Sequence, residues 1–325
     1  MKSFTYKLPT NLKEASRLLG DNWKDVLAFA GGTDILNLMK NEIETPGTVV
    51  NLKKISGLNA IEYNAGYGLK IGALVTISEI AEHPIIKAKY CVLHEAAKEI
   101  ASPQLRNMGT LGGNLCQRPR CWYYRNDFPC LRKGGDICYA IDGKNKFHCI
   151  IGGGPCFIVH PSDMAVALLS LDANLTIFDG EKNHTVPISK FFMLPEQDTY
   201  RENILKPNEL VTHVYVPDVG ENVKSGYVKF KERGIWDFAV VSVAVMLQKQ
   251  GKTIRDARVS LGGIAPKPWL EPYVSQNLVD MVPDEGKISS ICDLSLGDAM
   301  DMGQNGYKIP LAKNLMKRLI STLAS

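Results

Sequence analysis

Val26-Leu27-Ala28-Phe29-Ala30-Gly31-Gly32-Thr33-Asp34-Ile35-Leu36-Asn37-Leu38-Met39-Lys40 is an apolar run that breaks at a double glycine and resumes with a helical pattern. It reads as a short strand from Val26 to Ala30, a turn, and a helix from Ile35. Paired glycines let backbone N–H groups come close to an anion, and the following helix dipole favours negative charge. The pattern is neither G-x-G-x-x-G nor a Walker loop, so alone it serves a phosphate cradle and a plain tight turn equally. A second Gly-rich turn, Asn107-Met108-Gly109-Thr110-Leu111-Gly112-Gly113-Asn114-Leu115, follows about 80 residues later and ends in a polar, αL-tolerant asparagine. Two such turns can converge on one diphosphate from two sides, which raises the phosphate reading above the turn reading.

Between Cys116 and Cys156 stand six of the eight cysteines, with Gly134, Gly135, Gly143, Gly152, Gly153 and Gly154 among them. So long a stretch without periodicity is either functional or disordered. Trp122, Tyr123, Tyr124, Ile150 and Ile151 argue against disorder. Something must therefore order it. A disulfide framework belongs to short secreted chains, whereas this one has 325 residues and an N-terminus, MKSFTYKLPT, without an apolar signal core. Zinc sites favour close pairs such as C-x2-C. The spacing here is Cys121-x8-Cys130-x7-Cys138-x10-Cys149-x6-Cys156, with no close pair. An iron–sulfur cubane takes four thiolates at corners several ångströms apart, which a long Gly-rich loop supplies readily. Chemistry alone puts a cluster slightly ahead of zinc. Cys91 and Cys292 stand alone and suit simple packing.

The length suggests two domains, and 45% apolar residues suffice for full cores. A net charge of +4 with scattered lysines carries no nucleic-acid footprint. The longest apolar run, about Ala239 to Leu247, is far short of a membrane span. In order, helices are expected at Asn11 to Leu19, Ile77 to His83 with a Thr76/Glu79 capping box, and Val92 to Ile100. Another opens at Ser162-Asp163 and carries Met164, Ala165, Ala167, Leu168 and Leu171, with Ser162 as its cap. Strands are expected at Thr48 to Asn51, Leu69 to Ile71, Asn174 to Phe178 and Val211 to Val216. From Gly226 the pattern changes to β runs, Tyr227 to Lys231, Val240 to Gln248 and Val259 to Leu261, read as a half-exposed antiparallel sheet. Ala312 to Leu323 closes the chain as an amphipathic helix.

Phe29-Ala30-Gly31-Gly32-Thr33-Asp34-Ile35 and Thr110-Leu111-Gly112-Gly113-Asn114 resemble the two flavin-binding turns of the FAD subunits of molybdenum hydroxylases. Lys229-x3-Arg233-x3-Asp237-Phe238-Ala239 and Leu261-Gly262-Gly263-Ile264-Ala265-x-Lys267-Pro268-Trp269 resemble that family's C-terminal domain. The resemblance implies an α+β chain: a two-part FAD-binding domain of the vanillyl-alcohol oxidase type over residues 1–217, then a small α+β domain over 218–325. Residues 116–160 lie where most members have only a short link. They are similar to an insertion holding a [4Fe–4S] cluster in one subgroup, the flavin subunits of periplasmic aldehyde oxidoreductase and 4-hydroxybenzoyl-CoA reductase. Gln117-Arg118-x-Arg120-Cys121 and Pro129-Cys130 match the aldehyde oxidoreductase version more closely.

Carried over by position, the cluster ligands would be Cys121, Cys130, Cys138 and Cys156, with Cys116 and Cys149 as packing thiols and Cys149 as the rival to Cys156. FAD contacts would be Ala28, Phe29, Ala30, Gly31, Gly32, Thr33, Asp34, Ile35, Thr110, Gly112, Gly113, Asn114, Asp163, Val211 and Lys229. The glycines would cradle the pyrophosphate, and Asn114 and Asp163 would hold ribityl or phosphate oxygens. Lys229 would sit by the electron-rich edge of the flavin. No catalytic residue is assigned. The resemblance further implies an electron-transfer subunit whose [2Fe–2S] and molybdenum-cofactor partners are separate chains in a hetero-oligomer, such as a dimer of trimers, with an external electron carrier. A cytoplasmic location is expected, or a periplasmic one by export with a signal-bearing partner. A stand-alone FAD oxidoreductase and a zinc-stabilised assembly protein are the competing readings.

Overall fold

The computed structural model describes residues 1–325, and their strands fall into three sheets. The first is parallel. Thr48–Asn51 lies at its centre, flanked by Thr5–Lys7 and Val26–Phe29. The helix Leu12–Leu19 starts where Asn11 accepts the Glu14 N–H and stops at Gly20, whose φ of 65° only glycine adopts readily. Its Ala15 and Leu19 pack on Val50, Ile55 and Leu58. The carboxyl end of Val26–Phe29 runs directly into the glycine pair, the end of a parallel strand where ligands ordinarily bind.

The second sheet is antiparallel, in the spatial order Ile61–Asn64, Gly68–Gly72, Leu210–Pro217, Asn174–Phe178, Asn183–Pro187. Ile77–Glu82, Cys91–Glu99 and Asp163–Ser170 share one large core with it. Thr76 and Glu79 form the expected reciprocal cap, and Ser162 caps the helix that begins at Asp163. The second Gly-rich segment differs from expectation. Leu111–Leu115 is a short helix, not an open turn, and Asn114 is helical rather than left-handed. The reason is local. The Thr110 hydroxyl accepts the Gly113 N–H, and Gly112 lies so close to the neighbouring strand end that a Cβ would stand 3.0 Å from Ala73 Cβ.

The third sheet runs Trp269–Leu270, Thr253–Gly262, Val241–Gln250, Val223–Phe230. It is not half-exposed. On Val241–Gln250, Val241, Val243, Val245 and Leu247 enter the C-terminal core, while Ala244 and Met246 enter the core of the second sheet. The strict alternation of a strand thus serves two hydrophobic cores at once. The closing helix, Lys308–Ala324, begins earlier than the expected Ala312 and covers the outer face.

Residues 116–160 form an excursion whose regular pieces are the helix Trp122–Arg125 and a 3-10 turn at Leu131–Lys133. Its ends meet again: the Ser162 hydroxyl donates to Asn114 Oδ1 at 2.6 Å. The C-terminal domain pins the excursion. Ile150 N–H donates to Ile264 O, Asn145 Nδ2 to Met302 O, and Asn305 Nδ2 to the carbonyls of His148 and Cys149. Lys308, fully buried, donates to Phe147 O and Gly263 O. All eight cysteines are free thiols.

Candidate functional site: a cofactor cleft and a cysteine cavity

At Gly31 a Cβ would fall 1.8 Å from the carbonyl oxygen of Met108. Only glycine permits this approach, and through it the two Gly-rich segments touch. Gly32 follows in the left-handed region, at φ 75°. The backbone N–H groups of Gly31, Gly32, Thr33, Asp34 and Ile35 meet no acceptor within the chain. Successive free N–H groups ahead of a helix make an anion-binding concavity. Ala28, Phe29, Ala30, Gly31, Gly32, Thr33, Asp34, Ile35, Thr110, Gly112, Gly113 and Val211 all line one cleft of about 1360 Å³. The second segment contributes differently from the first. The Gly112 and Gly113 N–H groups are already engaged, by Ala73 O and Thr110 Oγ1. Those glycines provide close packing rather than donors.

The Asp34 carboxylate is taken up by arginines. It accepts from Arg118 N at 2.8 Å, Arg120 at 2.9 Å and Arg125 at 2.8 Å. These three come from the cysteine excursion, so Asp34 fastens that excursion to the first turn. A second acid does similar work: Glu202 pairs with Arg118 at 3.3 Å and with Arg132.

Asp163 lines a second cavity, of about 840 Å³, with Cys121, Trp122, His160, Ser162 and Phe238. Its carboxylate accepts from Tyr227 Oη at 2.6 Å and Lys229 Nζ at 2.8 Å. Burial, and then Asp163 itself, push the Tyr227 phenol well up, so it remains a donor. Lys229 also donates to Glu99 O and is 1% exposed. Its ammonium therefore acts on Asp163 and does not itself line the cavity. His160 is pushed down to about 3 by burial and stands as a neutral imidazole.

Cys121, Cys130, Cys138 and Cys156 line a third cavity together with His148, Tyr123, Tyr124 and Arg132. The neighbouring Cys156 thiol holds the Cys138 thiol below its ordinary range. Cys116 and Cys149 lie outside this wall. Cys149 Sγ faces Gly153, where a Cβ would come within 2.5 Å of it. Burial pushes both of these thiols up to about 12, as expected of packing groups. No three His, Cys, Asp or Glu side chains are placed so as to hold a metal ion. Cys121 and His148 line this cavity and the Asp163 cavity alike, with Cys121 Sγ 3.3 Å from His148 Nε2. The two chambers share a wall.

Sequence reasoning brought the two turns and the cysteines together but missed the carboxylates that hold the excursion down. Arg118, Arg120, Arg125 and Arg132 are legible as an arginine-rich loop. Glu202 sits alone some 70 residues from Arg132, with no motif around it. Tyr227, two residues from Lys229 on the same strand face, was recoverable from strand alternation.

A family model described as the FAD binding domain in molybdopterin dehydrogenase matches residues 2–219. One described as the CO dehydrogenase flavoprotein C-terminal domain matches residues 226–323. The chain is 35% identical over 327 aligned residues to the aldehyde oxidoreductase FAD-binding subunit PaoB of Escherichia coli K12, covering 99% of this chain and 98% of that protein. It is 26% identical to the carbon monoxide dehydrogenase medium chain of Hydrogenophaga pseudoflava, covering 98% and 96%. A solved carbon monoxide dehydrogenase from Hydrogenophaga pseudoflava, lacking the Mo-pyranopterin moiety of its cofactor, superposes with a TM-score of 0.77 at 24% identity over 99% of this chain and 97% of that one. Quinoline 2-oxidoreductase from Pseudomonas putida 86 superposes at 0.75, with 23% identity over 100% and 98%.

Proposed function

From the premise that this chain belongs to the FAD-binding subunits of the molybdenum hydroxylases, we propose that it carries a [4Fe–4S] cluster beside its FAD and relays electrons for a molybdenum-containing partner. The observation that carries the proposal is the shared wall. Four thiols line one small cavity, and that cavity abuts the chamber containing Asp163. A single zinc ion would need its sulfurs about 2.3 Å from one point. The four thiols around one space are the donor set that an iron–sulfur cubane would take.

The chain's own residues bind and orient. The free N–H groups of Gly31 to Ile35 receive the diphosphate, and Asn114 and Asp163 fix the polar stem of the flavin. Tyr227 and Lys229 hold Asp163 in place. Cys121, Cys130, Cys138 and Cys156 serve as ligands, and Trp122, Phe147 and Tyr123 close the excursion over them, with Trp122 and Phe147 packed edge to face at 5.7 Å. FAD exchanges electron pairs and an iron–sulfur cluster single electrons, so the two together join one-electron and two-electron donors.

On this reading residues 1–217 bind the flavin, 116–160 the cluster, and 218–325 brace both. The partners are a [2Fe–2S] chain and a molybdenum-cofactor chain, assembled as a heterotrimer or a pair of them, with a diffusible carrier as electron acceptor or donor. An aldehyde bound on the molybdenum chain is the favoured substrate, since the relative matched at 35% is an aldehyde oxidoreductase subunit. The site of action is cytoplasmic. No helix is long and apolar enough to cross a membrane. Anaerobic purification tests the reading. About four iron atoms per chain with a flavin absorbance are expected of one cubane. Zinc without iron would overturn the cluster, and turnover of an organic substrate by the isolated chain would favour a stand-alone oxidoreductase.

A further inference from the structure

One cation in the large cleft makes no ion pair. The Arg201 guanidinium stacks on Trp23, 3.3 Å from the ring centre. The one hydrogen bond Arg201 donates is from its main-chain N–H to Asp198. Its five side-chain donors meet no acceptor in the chain, whereas Arg118, Arg120, Arg125 and Arg132 each reach a carboxylate. Burial and the nearby Arg118 guanidinium pull Arg201 down to about 10 against the opposing pull of Glu202, Glu44 and Asp198, so it is still charged near neutrality. A partly buried guanidinium whose donors are unpaired costs stability unless a ligand completes it.

Arg201 and Trp23 line the same cleft as the five unengaged N–H groups, and Leu205, Pro207 and Leu210 add apolar surface there. Trp23 covers one face of the guanidinium plane. A planar base can stack on the other face, while the edge donors meet phosphate or ribose oxygens. We propose that Arg201, held flat by Trp23, is the docking platform for the adenosine-diphosphate half of the dinucleotide and makes the cleft select FAD over FMN. The inference rests on FAD occupying this cleft, and it owes nothing to the cysteine cavity.

The full chain, stripped of flavin, is titrated with FAD, FMN and ADP by fluorescence and calorimetry. Arg201→Ala weakens FAD and ADP by about tenfold or more, the scale of one lost stacked base, while FMN stays within about twofold. Arg201→Lys keeps the charge without the plane and still loses most of the ADP affinity. Trp23→Ala shows the same selectivity and Trp23→Phe largely restores it, which a misfolded protein would not do. Equal weakening of FAD and FMN, or unchanged FAD binding in Arg201→Ala, overturns the platform. A wild-type chain that binds neither flavin would strike the FAD assignment of the cleft instead.

Discussion

Lys229 Nζ lies 2.8 Å from Asp163 Oδ2, and the two side chains are 1% and 6% exposed. A buried pair of this kind adds little over an apolar replacement, yet removing one partner strands a charge, at a cost of about 3–5 kcal/mol. Lys229→Met should therefore destabilise the chain by that amount in urea unfolding. The double change Lys229→Met with Asp163→Asn should recover a large part of it. FAD retention should fall in both variants, because the Asp163 carboxylate is either displaced or absent. A double variant no more stable than the single one would show that the lysine works by packing.

The two glycine pairs differ in what a methyl group meets. At Gly31 it meets the Met108 carbonyl at 1.8 Å, and at Gly113 the Thr110 hydroxyl at 3.0 Å. Gly31→Ala forces the segments apart, at the roughly 1–3 kcal/mol typical of overpacking, and the cleft opens with them. FAD affinity should drop by about tenfold or more on that scale. Gly113 lies inside a helix, where alanine gains up to about 1 kcal/mol against a milder clash with a side-chain hydroxyl, so Gly113→Ala should cost less stability and less flavin than Gly31→Ala. Flavin fluorescence and thermal unfolding of the two variants give the comparison.

Local chemistry explains which of these features could be read in advance. The strand before Gly31 and the caps at Thr76 and Ser162 depend on neighbours within a few residues, and the structure has them. The double role of Val241–Gln250 does not. Its alternation was visible, but which faces are covered depends on helices from both ends of the chain. Leu111–Leu115 was misread because two glycines lower helix propensity, and a tertiary contact with Ala73 overrides it. In the site, cysteine spacing drew attention to the right loop. Asp34 as its fastening, and Lys229 as a partner of Asp163, emerge only when distant strands are brought together.

Asp34 joins the cleft to the cysteine excursion through three contacts from Arg118, Arg120 and Arg125. Hydrogen bonds to a charged group contribute about 1.5–3 kcal/mol each. Asp34→Asn keeps the shape and weakens all three. The exposed segment Asn126 to Pro129 and the nearby Lys133 should then become accessible, with tryptic cleavage there at least about tenfold faster, as the loss of one such bond implies. Unchanged cleavage would mean that the C-terminal contacts alone hold the excursion.

Lys308 gives the excursion a pH dependence. Burial lowers its ammonium from 10.5 to about 7, and Phe147 O and Gly263 O receive its protons. Above pH 7 the unfolded chain binds this proton more tightly than the folded one. Stability from this group therefore rises with pH between about 7 and the unfolded value near 10.4, and the penalty is fully present below 7. Urea unfolding from pH 6.5 to 9.5 should show that rise in the wild type and a flatter profile in Lys308→Met. Equal slopes would show that the ammonium keeps its ordinary value when folded.

The cysteines separate by position. Cys130 and Cys138 face the cavity, whereas Cys149 faces Gly153. Cys130→Ser or Cys138→Ser removes a thiolate from the proposed cluster, and because ligation and loop order are coupled, iron should be lost and the excursion should loosen. Cys149→Ser alters only packing, so iron should remain near the wild-type amount with a modest drop in melting temperature. Iron analysis and the visible absorbance of each anaerobically purified variant measure this directly. If Cys149→Ser bleaches the protein while Cys156→Ser does not, the ligand roles of these two are exchanged.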